Sequence, residues 1–361
     1  LHMLVLGDSI MWGQGLKDQD KFWWRIKGWL QEKTGRRVLE KIEAHSGAAI
    51  EASAGAEGPF TSKDGEVNLL TPSINEQVDD ALRYYDDPAK VDLILVDGCI
   101  NDVGVRNILD ASTSLEVLDT NIREKCGGRM QLLLQRVVRE FPRAHVVVTS
   151  YYRIVSTETE SNSFTTLLAK KLTTLNTEAE RMSDKQLRER LIAISDKWYR
   201  VSTPSLGLAV DAVNSDLRKS DSKQRILFAE IEFAPEHAFS APDTLLWNFK
   251  FGSTNLSGLR KAIVVVTFGT AAYKPDDEVR DRRSKSCKET YKEPGKEKKE
   301  SKAEKKRREF SYLACRYASL GHPNKMGALL YAEAIKSQLR WLIAEAGWLK
   351  KSSSIQPVPG N

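Results

Sequence analysis

Residues 3–16 read MLVLGDSIMWGQGL. Met3 to Leu6 are four consecutive apolar residues that run straight into Gly7-Asp8-Ser9, and helix-like sequence follows almost at once. A short apolar run closed by Gly-Asp-Ser predicts a buried strand and a tight turn into a helix. Comparable runs recur as RVLEKI at 37–42, DLILVD at 92–97 and HVVVTS at 145–150. Three of the four are nearly continuous and rich in β-branched residues, the pattern of strands covered on both faces. Amphipathic helical stretches lie between them at 20–33, 74–85 and 115–141. The alternation predicts a three-layer α/β/α fold on a parallel sheet. Such sheets bind ligands beyond the carboxyl ends of their strands. Ser9 follows the first strand and Asn101 the third, so both fall on that edge.

At 361 residues the chain is long enough for a sizeable core, and it reads as a single domain, 1–361. Hydrophobic residues at 41% and charged residues at 29% suit a soluble globular protein. No apolar run approaches the roughly 20 residues that span a bilayer. There is no signal-peptide pattern. That favours a cytoplasmic protein, although the Leu-His-Met start looks clipped and leaves secretion open. Cys99, Cys126, Cys287 and Cys315 form no metal-like pairs, and their low density argues against a disulfide scaffold while leaving room for one bridge.

The formal charge of +6 is local: residues 280–309 carry 14 Lys/Arg and 7 Asp/Glu, and the remainder is close to −1. Over 276–309 the near absence of apolar residues predicts a mobile loop or a solvated helix, and 280–309 is expected to be dispensable for chemistry. Contact with nucleic acid or an anionic membrane is the less favoured reading, because lysines alternate with glutamates and Tyr291 is the one aromatic in 280–309. Residues 200–260, with Pro235, Pro242 and Trp247, read as an irregular insert near the active-site edge. KAIVVVTFG at 261–269 suggests a late strand, and the spacing from Asn324 onward is helical.

Taken alone, Gly-Asp-Ser fits any helix-capping turn. Three further segments raise its significance. AHSGAAI at 44–50 places Gly47 in a loop, DGCIND at 97–102 offers Asn101, and LGHPNKMGALLYA at 320–332 places His322 before the last helix. Acyl transfer needs a base for the hydroxyl, usually His. It also needs fixed donors for the oxyanion, such as a glycine N–H and an uncharged amide. Bland readings stand beside these: a turn glycine, a turn asparagine, a capping histidine.

The four blocks, in this order, resemble the SGNH, or GDSL, hydrolase superfamily. The resemblance covers the first 150 residues and the last 50. It implies a flavodoxin-like fold and ester hydrolysis, with Ser9 as nucleophile and His322 as base. The Ser9 and Gly47 N–H groups and the Asn101 amide would form the oxyanion hole, with no cofactor and no metal. Asp8 and Asp102 would shape the turns. Trp12, Trp247, His237 and Phe239 are candidates for the substrate pocket, and His237 is also the rival base.

Two departures stand out. The third block has one extra residue, Gly98-Cys99-Ile100-Asn101-Asp102. Members of the superfamily usually carry Asp three residues before the histidine, and here that position is Ser319. Ser319, a backbone carbonyl, or a carboxylate such as Glu236 or Asp243 is then expected to orient His322. With no obvious carboxylate beside it, His322 is expected to titrate near its reference value of about 6.5. The substrate would be a small-molecule, lipid or carbohydrate ester. A carbohydrate O-acetyl esterase is the close alternative, and a non-catalytic binding protein that keeps the fold is the more distant one.

Overall fold

The computed structural model describes residues 1–52, 60–160, 182–251, 273–293 and 300–349. Five parallel strands form the central sheet: β1 (His2–Leu6), β2 (Leu39–Ile42), β3 (Val91–Val96), β4 (His145–Thr149) and β5 (Ile226–Ala229). Their order is β2-β1-β3-β4-β5, the flavodoxin-like order. Register pairs Val5 with Ile42 on one side and with Leu95 on the other. Met3 to Leu6 and Leu93 to Val96 are almost wholly buried, as double coverage of the sheet requires.

Helices cover both faces. α1 (Ser9–Trp12), α2 (Phe22–Thr34), α3 (Ile74–Tyr84), α4 (Ile100–Val103), α5 (Val105–Leu109), α6 (Leu115–Ile122) and α7 (Met130–Glu140) precede β4. The stretch expected as one helix over 115–141 is α6 and α7 joined by a π-helical segment, Arg123–Arg129. Further on come α8 (Asp184–Lys219), α9 (Arg280–Thr290), α10 (Lys302–Arg316) and α11 (Lys325–Glu345), together with a small antiparallel pair, β6 (Phe249–Phe251) and β7 (Tyr273–Pro275). α11 packs against α2 and the far strands, while α8 lies over α6, the π segment and α7. Local signals set the helix starts. Capping boxes sit at Ser73/Glu76, Ser183/Gln186 and Ser301/Glu304.

Two expectations need correction. Residues 200–229 are not an irregular insert: they complete α8 and supply β5, which pairs with β4 from Ile226 to Ala229. Irregular chain begins only after β5. The charged segment 276–309 is not merely a solvated linker either. Within it Arg283 and Cys287 are fully buried, and Tyr291 and Arg308 nearly so. The cysteines form two disulfides, Cys99–Cys126 and Cys287–Cys315, where their low density left room for one. The strand expected at 261–269 lies outside the described residues. Among the described residues, no helix is long and apolar enough to cross a membrane.

Candidate active site

The sheet reverses direction of growth at β1: β2 lies on one side and β3 on the other. The carboxyl ends of β1, β2 and β3 therefore open onto one crevice. Ser9 begins α1 directly after β1, Gly47 follows β2, and Asn101 lies in α4 after β3. The turn that presents Ser9 is built from carboxylates. Asp8 Oδ1 accepts the Ile10 N–H at 2.8 Å, Tyr151 donates its hydroxyl to Asp8 Oδ2 at 2.7 Å, and the Asp8 N–H is held by Asp97 Oδ1 at 2.8 Å. Burial raises the Asp8 carboxyl to about 6, and it raises Asp97 well above the usual range with repulsion from Asp8 adding to it. Asp102, the other turn carboxylate, accepts the Ile50 N–H at 2.8 Å and ties the second and third loops together.

His322 arrives from the far end of the chain. Its Nε2 lies 2.7 Å from Ser9 Oγ, across 313 residues of sequence. Its backbone is clamped by the irregular segment after β5. Trp247 donates its N–H to the His322 carbonyl at 2.7 Å, the Gly321 N–H returns to Trp247 at 3.0 Å, and Leu246 bridges Pro323. Asn324 caps α11 through the N–H groups of Met326 and Gly327. The residue keeps some exposure, but protein surrounds the imidazole. Burial drives His322 down to about 4; the Leu320 and Ser319 carbonyls oppose that, and Arg283 adds to it more than Asp277 offsets it.

Gly47 has φ +87°, and a Cβ there would lie 2.4 Å from both Asn68 Oδ1 and the Leu69 carbonyl, so only glycine fits. Asn101 donates one amide N–H to the Ala48 carbonyl at 2.8 Å, next to Gly47, which leaves its second N–H for another acceptor. The N–H groups of Ser9 and Gly47 make no hydrogen bond among the described residues. The extra residue of the third block has a physical role. Cys99 sits at φ 108° ahead of α4, and its side chain is bridged to Cys126 in the π segment. A non-glycine residue in that region costs on the order of 1–3 kcal/mol.

The remaining candidates are placed as follows. Ser319 is fully buried, but its hydroxyl does not reach His322: it donates to Asp277 Oδ2 at 2.7 Å and accepts from Arg283 Nη2 at 3.0 Å. His322 Nδ1 makes no hydrogen bond among the described residues. Glu236 and Asp243 are exposed. His237 turns its Nδ1 to the Ala234 N–H at 3.3 Å, so it serves its own loop, whereas His322 is the histidine at Ser9. Trp12 gives its indole N–H to Glu66 at 3.0 Å and carries the Lys21 ammonium over its ring at 3.4 Å. Trp247 and Phe239 are buried beside the histidine loop and the β4–β5 end.

The sequence reading missed three residues, Glu66, Asp277 and Arg283. Arg283 is wholly buried, 2.6 Å from Asp277 Oδ2 and 3.3 Å from Glu66 Oε2. Charged residues in a charged stretch carry no signal of burial, and Asp277 stands 45 positions before His322 in a segment without helical or strand periodicity. Among the described residues, no group of three or more His, Cys, Asp or Glu could hold a metal ion.

No protein-family profile matches the chain, and no curated protein matches it. Several solved structures are similar to it. Phospholipase A1 from Streptomyces albidoflavus superposes with a TM-score of 0.38 at 13% identity, covering 71% of this chain and 89% of its own. An extracellular lipase from Streptomyces rimosus gives 0.37 at 14%, over 70% and 88%. A family two carbohydrate esterase from Clostridium thermocellum, solved with cellohexaose, gives 0.40 at 12%, over 96% of this chain and 65% of that one.

Proposed function

We propose that this protein is a serine hydrolase that cleaves carboxylic esters through an acyl-enzyme on Ser9. One observation carries the reading: His322 places its Nε2 at hydrogen-bonding distance, 2.7 Å, from Ser9 Oγ. A serine hydroxyl is a weak nucleophile until a base takes its proton. Its depressed basicity keeps His322 in the neutral form, the one that can accept a proton, at ordinary pH.

In the first half-reaction Ser9 Oγ bonds to the ester carbonyl carbon as its proton passes to His322 Nε2. The carbonyl oxygen becomes an oxyanion, met by the N–H groups of Ser9 and Gly47 and the free N–H of Asn101. Collapse breaks the bond to the alcohol oxygen, and His322 returns the proton to the departing alcohol. In the second half-reaction water gives a proton to His322 and attacks the acyl carbon. The carboxylic acid leaves, and Ser9 recovers its proton. Asp8, Asp97 and Asp102 hold the loops and take no proton from substrate.

The test is turnover of short-chain p-nitrophenyl esters by the wild type and two variants. Ser9→Ala should abolish turnover. His322→Ala should lower kcat by at least the roughly 10²-fold typical of general-base loss. Activity that survives unchanged in either variant refutes the reading.

A further inference from the structure

His322 has a base's geometry on one nitrogen and no carboxylate on the other. Its orientation therefore falls to the chain that carries it, whose Leu320 and Ser319 carbonyls act on the imidazole. Besides Trp247 and the Tyr152 hydroxyl, which donates to the Gly321 carbonyl at 2.8 Å, a buried guanidinium ties that chain down. Arg283 donates to the Arg316 carbonyl through Nε at 3.4 Å and Nη2 at 3.3 Å, and to Ser319 Oγ at 3.0 Å. Both acceptors lie in the six residues before the histidine. The same guanidinium is gripped by Asp277 through two bonds, of 3.0 and 2.6 Å, and Asp277 also accepts the Ser319 hydroxyl. Ser319 in turn accepts the His322 N–H through its carbonyl at 3.0 Å.

The other arm of Arg283 reaches the nucleophile side. Its Nη1 meets Glu66 Oε2, and Glu66 holds the loop that follows Ser9: the Trp12 indole, the Gln14 amide at 2.8 Å and the Gly15 N–H at 3.3 Å. Gly15 closes the joint, because a Cβ there would lie 2.7 Å from Trp247 Nε1 and 3.0 Å from both Asp277 and Ser319. One buried chain of charges thus runs from the loop after the nucleophile to the loop before the base.

We infer that Asp277 and Arg283 are the positioning residues of the Ser9–His322 pair, acting through Ser319 and Glu66 in place of a carboxylate on the imidazole. The inference rests on the proposed function. It accounts for Ser319 at the position where the resembled superfamily carries Asp: a third carboxylate there would face Asp277 at close range, whereas a hydroxyl bridges the carboxylate and the guanidinium. Misplacing a catalytic group by about 1 Å can cost roughly 10²-fold in rate. The charged groups acting on the imidazole are Arg283 and Asp277, which oppose each other. Glu66 and, beyond it, Lys21 lie one layer further out.

The experiment compares Asp277→Asn, Arg283→Gln and Ser319→Ala by kcat, KM and the acid limb of the pH profile. Folding is checked by circular dichroism and Ser9 reactivity by fluorophosphonate labelling. All three should lower kcat by about 10- to 100-fold with little change in KM. Losing the Asp277 charge should move the acid limb to lower pH, because imidazolium loses a favourable neighbour. Losing the Arg283 charge should move it to higher pH. Ser319→Ala leaves both charges in place and should lower kcat without moving the limb, and Ser319→Thr should restore the rate. Should the buried charge variants fail to fold, the Ser319 pair decides alone. Wild-type kcat in Ser319→Ala overturns the inference, as do unmoved limbs in folded Asp277→Asn and Arg283→Gln. A wild type that neither labels at Ser9 nor turns over an ester defeats the proposed function instead.

Discussion

His322 sits within protein with one nitrogen on Ser9, no carboxylate on the other, and the Leu320 and Ser319 carbonyls acting on the ring. The sequence, showing no carboxylate beside it, predicts titration near about 6.5. Burial instead takes it down to about 4. The base is the neutral form, so activity is retained above the depressed value and lost as pH falls through it. A profile of kcat/KM should be level from about pH 5 to 8 and decline near 4, in protein shown by circular dichroism to remain folded. A limb centred between pH 6 and 7 would contradict the burial argument. Asn101 is the second residue-scale test. One of its N–H groups is spent on Ala48, and the other is the only uncharged side-chain donor assigned to the oxyanion. Asn101→Ala should cost roughly 10²–10³ in kcat with KM little changed. A loss below about threefold would remove Asn101 from the site.

At the scale of elements, α9 and α10 are more than a charged appendage. Cys287–Cys315 joins them, and Val67, Tyr291 and Phe60 pack around that bridge. Ser286 donates to Asp64 at 2.7 Å and Tyr291 to the Asn68 carbonyl at 3.1 Å. The helix pair therefore pins the 60–69 loop, which carries Glu66 and crowds Gly47. Replacing 280–309 with a Gly/Ser linker should abolish ester turnover, the reverse of what composition suggests, and activity within about twofold of wild type would show the pair to be idle. Breaking the bridge by Cys287→Ser with Cys315→Ser opens a link across 28 residues and should cost on the order of 3–4 kcal/mol, read as a fall in Tm.

The same elements show what a sequence can reveal. β1, β3 and β4 were legible because buried parallel strands must be continuously apolar. The meeting of Ser9 and His322 was legible from the order of the four sequence blocks taken together, since each residue alone has an ordinary turn or capping use. β5 was not, since four residues followed by Glu230 and Glu232 leave no run to recognise. The Asp277–Arg283 pair was not, because burial of a charge depends on a partner that only the fold brings near. The disulfides were not, because two bridges 27 and 28 residues apart follow from helix placement rather than from any spacing rule.

For the molecule as a whole, both bridges are buried and no cysteine is free among the described residues. Disulfides form and persist in oxidising compartments. Protein denatured without reductant, after production in such a compartment, should show no titratable thiol, and four titratable thiols would contradict the pairing. The flavodoxin-like sheet places the ends of β1, β2 and β3 at one edge, and the loop ahead of α11 closes that edge with His322. The account stands on Ser9 and His322 being one chemical unit. Fluorophosphonate labelling followed by intact-mass and peptide mass spectrometry tests this most directly. It should find one adduct per chain, on Ser9, absent in Ser9→Ala and formed at least about 10²-fold more slowly in His322→Ala. An adduct on another residue, or labelling of His322→Ala at the wild-type rate, would contradict it.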